Sequence, residues 1–548
     1  MNKTHPFVAY FSMEFAFNLK IPNYAGGLGV LAADTMYSCA DLEIPIVGVS
    51  LIYHQDDDIK KAFRPSLFME KIEKKVSVEI EDRVVVLEIW KMEIKGKTGH
   101  IVPIYFLSSF SPENPRWDRD LTKHLYASDR YTRLGQEVLL GVGGFRALKA
   151  LGYNIKTFHM NEGHSAFLTL ENLKNSNGNI AQAKKLATFT THTPITAGHD
   201  YFDYQISKKT LGKILPDNIK EIASKEMLGM TQLGLSLSRK ANAVSQKHRE
   251  VCRKMFPENI FESVTNGIYH ERWIGKDMGK LLDEKIPLWR KNPEILERKA
   301  FDLSDNDLFK VRKKQKNALI SWINSKKEHF PFNDATNDDL FDNDVLLIGF
   351  ARRFVPYKRP SLIFKNLKTL RELGYRKVQL VFAGRCHPDD QFCNSMLDTI
   401  RLHAKELRGQ IKVAIIPNYN LNIAKKLTTG CDIWLNNPTP PREASGTSGM
   451  KAALNGVLNL SILDGWWIEG YKMFPKSGWA FGKNEDLGSE NRDDSDNQEL
   501  LVQLEDVIHC FYDKKVKWAE KMKNSIASSS YFNTHRMVKE YRNKIWES

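Results

Sequence analysis

The sequence is poor in cysteine and lacks the cysteine spacing of a metal site. Six cysteines are spread over 548 residues without a CxxC pair. We therefore predict neither a disulfide framework nor a zinc site, but reduced and mostly buried thiols in a reducing compartment. No apolar run comes near the roughly 18 residues of a membrane span, and the first residues lack the apolar region of a signal peptide. These absences predict a cytoplasmic protein.

Several catalytic and binding motifs are also missing. The pattern GxxxxGK[ST] does not occur, which excludes a P-loop nucleotide site. His159 and His164 are five residues apart instead of four, so the HExxH zinc motif is absent and no metal is predicted. The net charge of +14 suits an anionic ligand, but no long basic run with interleaved aromatics indicates nucleic acid.

The C-terminal half shows the alternation of a parallel α/β sheet. Helical segments separate five apolar segments of strand length, at residues 345–350, 378–383, 412–416, 432–435 and 458–463. This alternation predicts a doubly wound sheet whose ligand lies at the carboxyl ends of the strands. Because 548 residues exceed one ordinary core, we expect at least two domains.

The N-terminal half opens with a βαβ pattern. A short apolar strand at residues 8–11 is followed by the glycine turn at residues 24–29, a helix, and a second strand at residues 45–53. Glycines at a helix N-terminus allow a ligand to approach the backbone, although a plain tight turn explains them equally well. Residues 76–90 alternate around Glu81-Asp82-Arg83, which predicts a hairpin.

Two further stretches could bind an anion. Residues 436–465 contain an apolar strand end, prolines, a glycine-rich loop, Lys451 and a helix start. Free N–H groups at such a helix start attract anions, and the lysine is either a phosphate clamp or a carbonyl-reactive amine. Residues 352–359 carry four cations that need anions or water. A capped turn with a solvated lysine, and a solvated basic turn, remain open for these stretches.

The segment Glu443–Lys451, EASGTSGMK, closely resembles the cofactor loop of the α-glucan (glycogen, starch, maltodextrin) phosphorylases. Further similarities are the segment YFSMEF…NYAGGLG near the N-terminus and the motifs TTHTP, TNGI and RxxxYKR. The resemblance implies an α/β protein with two Rossmann-like doubly wound lobes facing across a cleft, the GT-B type of glycosyltransferase fold. It also implies that Lys451 holds pyridoxal 5'-phosphate as a Schiff base.

The resemblance assigns roles to individual residues. It implies four catalytic residues: Lys451, Arg353, Lys358 and His192. Besides Lys451, it implies these cofactor-binding residues: Thr447, Ser448, Gly449, Tyr419, Arg352 and Tyr10. It implies these substrate-binding residues: Gly27, Leu28, Asn266, Glu443, Ser445, Gly446, Glu162 and His164.

Four positions depart from the family's commoner pattern. Glu162 replaces an Asp, Arg352 a Lys, Arg385 a Lys and Asn420 an Arg. We assign no catalytic role to Arg385, and the departures leave the roles of Glu162 and Asn420 open. The resemblance implies an N-terminal lobe (1–270), a charged helical bridge (271–343), a cofactor lobe (344–500) and C-terminal helices crossing back to the first lobe (501–548).

The implied reaction is reversible phosphorolysis of α-1,4-glucans, with retention of configuration. Its partners are a glucan or maltodextrin, orthophosphate and glucose 1-phosphate, with no nucleic acid or membrane; a homodimer is left open. Because the chain lacks the length that regulated animal enzymes devote to effector sites, allosteric control is not expected. A glycogen-synthase-like transferase that uses a nucleotide sugar, and a non-catalytic glucan-binding protein, remain alternatives.

Overall fold

The computed structural model describes residues 7–55, 63–332, 334–384, 391–483 and 492–547. The described residues form a mixed α/β protein with parallel sheets, as the alternation of strands and helices predicts. The chain divides into two compact units. Unit 1 comprises Met1–Val244, Arg249–Val264 and Met537–Ser548. Unit 2 comprises Ser245–His248 and Thr265–Arg536.

Unit 1 is built on a nine-stranded sheet with the order β11-β10-β7-β6-β1-β2-β5-β4-β3. The strands from β11 to β5 are parallel, whereas β3 and β4 add an antiparallel hairpin. Its strands are β1 (Val8–Ser12), β2 (Ile46–Leu51), β3 (Glu70–Ile80), β4 (Arg83–Lys95), β5 (Ile101–Ser108), β6 (Thr157–Asn161), β7 (Ala187–Thr190), β10 (Lys240–Ala243) and β11 (Phe261–Ser263). A separate antiparallel pair consists of β8 (Tyr201–Phe202) and β9 (Leu228–Gly229).

Unit 2 is built on a six-stranded, fully parallel sheet with the order β14-β13-β12-β15-β16-β17. Its strands are β12 (Leu346–Ala351), β13 (Val378–Ala383), β14 (Lys412–Ile416), β15 (Ile433–Asn436), β16 (Leu458–Ile462) and β17 (Gly478–Phe481). All six residues of β12 are buried, as expected for a strand covered on both faces. The first five strands confirm the predicted segments within one residue at each end. The edge strand β17 was not predicted.

The α-helices connect these strands and cover the sheets. In unit 1 they are α1 (Gly27–Asp41), α2 (Arg116–Asp120), α3 (Arg130–Val138), α4 (Gly144–Ala150), α5 (Leu168–Asn175), α6 (Ile180–Lys184), α7 (Tyr204–Leu211), α8 (Ile219–Ala223) and α9 (Met230–Ser236). The others are α10 (Gln246–Met255), α11 (His270–Trp273), α12 (Lys276–Lys285), α13 (Leu296–Lys299), α14 (Asp305–Asn324), α15 (Leu367–Gly374), α16 (Gln391–Glu406), α17 (Leu421–Gly430), α18 (Thr447–Leu454), α19 (Trp466–Met473), α20 (Arg492–Asp513), α21 (Lys515–Ser528) and α22 (Thr534–Tyr541).

The last residues of the chain are part of the core of unit 1. Tyr541 and Trp546 are buried and stack on each other, with ring centroids 5.3 Å apart. The side-chain amide of Asn242 donates to the Tyr541 hydroxyl over 3.0 Å. The Arg239 guanidinium donates to the Trp546 carbonyl over 2.6 Å. These bonds tie the C-terminal segment to the strand β10 region of the nine-stranded sheet.

The thiol prediction holds for four cysteines and is wrong at a fifth. Free, buried thiols are found at Cys39, Cys252, Cys431 and Cys510. Cys393 instead forms a disulfide, because scattered sequence positions do not show which residues the fold brings together. In the part of the chain that the structure describes, none of the helices has the length and apolar character needed to cross a membrane.

Candidate functional site

The loop between β15 and α18 is held by the turn that follows β16. The buried carboxylate of Asp464 accepts the Glu443 N–H over 2.9 Å and the Gly465 N–H over 2.8 Å. The Trp466 N–H donates to the Ser445 carbonyl over 2.9 Å. Gly446 ends the loop in the left-handed region, with φ at 86°. The backbone of residues 443–446 is therefore fixed at the N-terminus of α18.

Two cations, the buried Arg352 and the largely buried Lys358, converge on the carboxylate of Glu443. Its Oε2 lies 2.9 Å from Arg352 Nη1 and 2.5 Å from Lys358 Nζ. Both cations belong to the segment that follows β12, so parallel strands bring them to the same sheet edge as the Glu443 loop. Burial lowers the pKa of Lys358 to about 8, although Glu443 opposes this shift. The pKa of Glu443 is below its ordinary value, since the attraction of Lys358 and Arg352 outweighs its burial.

Several polar atoms beside this cation pair can form hydrogen bonds beyond those within the protein. The Ser448 hydroxyl accepts hydrogen bonds from Trp434 Nε1 over 3.1 Å and from Arg352 Nη2 over 3.4 Å. Arg352 Nε and Ser445 Oγ are buried and have no hydrogen-bond partner among the described residues. Buried polar atoms of this kind are costly unless a further group completes them. The arrangement therefore suits a polyvalent oxyanion such as a phosphate.

Lys451 is buried on α18 and lies over an indole ring. Its Nζ is 3.9 Å from the ring centroid of Trp273, a cation–π contact. The side-chain amide of Asn455 donates to the carbonyls of both residues, over 2.9 Å to Lys451 and 3.0 Å to Trp273. Its Oδ1 accepts the Gly275 N–H over 2.7 Å. Asn455 thus joins the helix that carries the lysine to the segment that carries the indole.

The other predicted residues of unit 2 lie in different environments. Arg353 is exposed, and none of the described residues forms a hydrogen bond or ion pair with its guanidinium. Tyr419 is half-buried against the core of the unit. Asn420 caps α17, because its Oδ1 accepts the N–H groups of Asn422 and Ile423. Asn266 is buried and its Oδ1 has no partner among the described residues.

The remaining assigned positions lie on α18 or outside the described residues. Thr447 and Ser448 are half-buried in its first turn, and Gly449 is buried. A side chain at Gly449 would place its Cβ 2.5 Å from Asn459 Oδ1, so the close approach of helix and strand requires glycine there. Arg385 lies outside the described residues.

We expect Gly465→Ala to lower the free energy of unfolding of the protein by about 3 kcal/mol. Gly465 has φ at 53°, and a Cβ there would lie 2.5 Å from the Ser445 carbonyl oxygen. The control is Gly409→Ala, because Gly409 also has a positive φ, 79°, but open space around it. That change should cost only about 1 kcal/mol. Urea unfolding of both variants measures the difference, and equal losses would show that the contact with Ser445 is unimportant.

In unit 1, a buried carboxylate organises the glycine turn. Glu14 Oε2 accepts the N–H groups of Ala25 over 2.6 Å and Gly26 over 3.2 Å. A Cβ at Gly29 would lie 2.8 Å from that same oxygen, so this position requires glycine. Gly27 is exposed with no atom near its Cβ position, and Leu28 is half-exposed. The helix start at these two residues is therefore accessible to a ligand.

The ends of β6 and β7 form a second cluster in unit 1. Glu162 Oε1 accepts hydrogen bonds from the His192 N–H and, over 2.9 Å, from the Thr193 hydroxyl. The ring of His192 lies with Nε2 2.7 Å from Asn161 Oδ1. Glu162 has φ at 76°, a strained value for a residue other than glycine. The carboxylate of Glu162 therefore fixes the backbone around His192, which explains an acidic residue at this position.

Two assigned residues of unit 1 are embedded among other side chains. His164 Nε2 lies 3.7 Å from Asp200 Oδ2, and burial lowers the pKa of this histidine to about 3. Tyr10 is buried, and its ring stacks on His159 with centroids 5.1 Å apart. Neutral His164 can accept or donate a hydrogen bond but supplies no positive charge near pH 7.

Sequence reasoning identified the loops but missed the residues that hold them. Asp464, Asn455 and Glu14 make the supporting bonds described above, and Trp273 faces the lysine. Asn455, Asp464 and Glu14 lie within stretches that the sequence singled out, but no local pattern assigned them a role, because the fold decides which groups they contact. A usable sequence signal exists at Asp464, where a carboxylate follows a strand directly beside a glycine. No group of three potential metal ligands is found among the described residues.

Comparisons with known proteins identify relatives along almost the whole chain. A family model described as carbohydrate phosphorylase matches residues 199–504. A maltodextrin phosphorylase of Thermococcus litoralis is 34% identical over 98% of this chain and 70% of the relative. A glycogen phosphorylase of Aquifex aeolicus is 33% identical over 98% of this chain and 86% of the relative. An uncharacterized protein of Methanocaldococcus jannaschii is 30% identical over 98% of this chain and 99% of its own length.

Proposed function

The chain belongs to the carbohydrate phosphorylase family, and on that basis we propose reversible phosphorolysis of α-1,4-glucans, which yields α-D-glucose 1-phosphate with retention of configuration. One observation carries the proposal: Arg352 and Lys358 converge on a single anionic position beside the helix that bears Lys451. Two phosphates brought together away from water require such cations.

The residues around Lys451 fit pyridoxal 5'-phosphate. The buried amine lies against a flat aromatic ring, and Arg352 Nε, Ser445 Oγ and the Ser448 hydroxyl offer polar contacts nearby. We propose that Lys451 anchors the cofactor and that Arg352, Tyr419, Tyr10 and the first turn of α18 (Thr447–Gly449) hold it. When bound, the cofactor supplies a phosphate group that can exchange a proton with the substrate phosphate.

The other residues would bind and orient the substrates. Arg353 and Lys358 neutralise orthophosphate, which donates a proton to the leaving glucan oxygen as a general acid. Glu443, Ser445, Gly446 and Asn266 bind glucose hydroxyls. Unit 1 contributes the N–H groups of Gly27 and Leu28 and the imidazole of His192 to substrate binding. Glu162 positions His192, and His164 is a further substrate-binding residue. This requires the two units to be Rossmann-like lobes facing across a cleft, the GT-B arrangement, which we also propose.

The experiment follows the synthesis direction. Purified protein is incubated with a maltodextrin primer and either glucose 1-phosphate or a nucleotide sugar such as a uridine diphosphate glucose. We expect chain extension and release of inorganic phosphate from glucose 1-phosphate alone. Extension from the nucleotide sugar alone would support a glycogen-synthase-like transferase instead. Binding of maltodextrin without extension from either donor would support a non-catalytic glucan-binding protein.

The low pKa of Lys358 predicts an alkaline limit for phosphate use. Because its pKa is about 8, Lys358 is charged below that pH and becomes neutral as pH rises through it. We expect kcat/KM for orthophosphate to fall above about pH 8. In Lys358→Arg the guanidinium stays charged, so the fall should move to higher pH even if the overall rate is lower. Identical alkaline limbs in both proteins would show that another group titrates.

A further inference from the structure

Glu443 is paired with two cations that the proposed function assigns to phosphate groups. The proposed function assigns Glu443 to glucose hydroxyls, and assigns Lys358 and Arg352 to phosphate groups. Yet a single oxygen of Glu443 is bonded to both cations, at 2.5 Å and 2.9 Å. The side chains of all three residues are at most 12% exposed. Glu443 therefore provides the counter-charge that these cations require.

A phosphate and Glu443 cannot share these cations without a cost. When a phosphate approaches Lys358, the negative charge of the phosphate comes close to the carboxylate of Glu443, which already pairs with the ammonium group. Like charges a few ångströms apart repel strongly where water is scarce. The repulsion falls if the carboxylate turns away and finds new hydrogen-bond donors. The hydroxyl groups of a glucose unit are such donors.

The backbone at Glu443 is held by bonds that do not involve its own carboxylate. Its N–H is bonded to Asp464, and the carbonyl of Ser445 is bonded to the Trp466 N–H. Beside the side chain stands Gly446, where a Cβ would lie only 3.3 Å from Glu443 Cγ and 3.4 Å from its Cδ. A side chain at this position would crowd the side chain of Glu443, and glycine avoids that contact.

We propose that Glu443 is an internal anion that competes with phosphate for Lys358 and Arg352, and that glucan binding releases this competition by drawing the carboxylate to glucose hydroxyls. This inference rests on the proposed function. It makes phosphate and glucan binding mutually favourable, since each ligand favours the same turned-away position of one side chain. By linkage, glucan strengthens phosphate binding by the same factor as phosphate strengthens glucan binding.

The test measures binding by calorimetry, in the purified protein with whatever cofactor it retains. Inorganic phosphate is titrated with and without a saturating maltooligosaccharide. In the unmodified protein we expect the glucan to tighten phosphate binding by about tenfold, within the usual range of coupling between sites. In Glu443→Gln, we expect phosphate alone to bind about tenfold more tightly than in the unmodified protein. The effect of glucan on phosphate should then disappear.

The matched control is Asp493→Asn. Asp493 pairs with Arg359, the neighbour of Lys358, at 2.8 Å, so this variant removes one negative charge close to the same turn. We expect it to leave phosphate affinity and its dependence on glucan unchanged. Equal tightening in both variants would overturn the proposal, because general electrostatics would then explain it.

Two other results would overturn the proposal. One is phosphate affinity in Glu443→Gln that is unchanged or weaker. The other is independent binding of phosphate and glucan in the unmodified protein, a measurement that does not depend on any variant folding. These readouts require no turnover. A protein that shows the coupling but forms no glucose 1-phosphate would contradict the proposed function and leave the role of Glu443 intact, whereas turnover without coupling would do the reverse.

Discussion

Replacing Lys451 by alanine is expected to lower kcat/KM for glucan phosphorolysis by at least about 1000-fold, the scale expected when a covalent anchor is lost. The proposed reaction depends on a cofactor fixed at this amine, and the amine is buried against Trp273. The variant should also lose the absorbance band of the protein-bound cofactor. Activity assays and absorbance spectra of the purified protein check both outcomes.

The control for this substitution is Lys472→Ala, in the last turn of α19. Lys472 is an exposed lysine of the same unit, so its removal changes the charge equally without touching the buried cluster. It should leave the spectrum and the rate unchanged. A Lys451→Ala protein with an unchanged spectrum and normal turnover would refute the assignment of the cofactor to this residue.

Arg353→Ala should reduce kcat/KM for orthophosphate by about 100-fold or more, the range seen when one donor to a developing or bound oxyanion is removed. At the same time the free energy of unfolding should change by less than about 0.5 kcal/mol. The substitution should affect phosphate use but not stability, because Arg353 is exposed and its guanidinium contacts no described acidic residue. Steady-state kinetics with varied phosphate, together with urea unfolding, provide the measurements.

Lys365→Ala serves as the comparison for Arg353→Ala. Lys365 follows in the same segment, is partly exposed and pairs with Asp494 at 3.2 Å. Its loss should affect neither the kinetics nor, beyond a few tenths of a kcal/mol, the stability. If Arg353→Ala retains full phosphate affinity, or if it unfolds as readily as a core variant, then Arg353 has a structural role and the proposed phosphate contact is wrong.

The sequence predicted the sheet of unit 2 well, because its strands are buried apolar runs separated by helices. The exception is β17, Gly478–Phe481. Four residues that begin with glycine show neither alternation nor a long apolar run, and the pairing with β16 that makes them a strand is a tertiary contact. The positions of the strands therefore follow from local pattern, whereas the extent of the sheet does not.

The candidate site was predictable as a set of loops and not as a set of contacts. The concentration of cations in residues 352–359 was visible in the sequence, and the structure brings Arg352 and Lys358 to Glu443 from 91 and 85 residues away along the chain. No local pattern shows that a carboxylate would meet these cations. The same limit applies to Asp464, whose partner Glu443 lies 21 residues earlier.

Two departures from the commoner family pattern have physical explanations. Asn420 caps α17 with its side-chain oxygen, a task that asparagine performs well and arginine cannot. Glu162 directs its carboxylate to the backbone and hydroxyl groups around His192, which a longer acidic side chain can reach from its strained backbone. Both residues therefore have a structural role in this chain.

The most direct test is the product formed from maltodextrin and orthophosphate. The purified protein is incubated with both, and glucose 1-phosphate and free glucose are quantified over time, with and without added pyridoxal 5'-phosphate. We expect α-D-glucose 1-phosphate as the product, formed only when orthophosphate is present, and no formation in Lys451→Ala. Release of free glucose, or a rate independent of orthophosphate, would contradict this expectation.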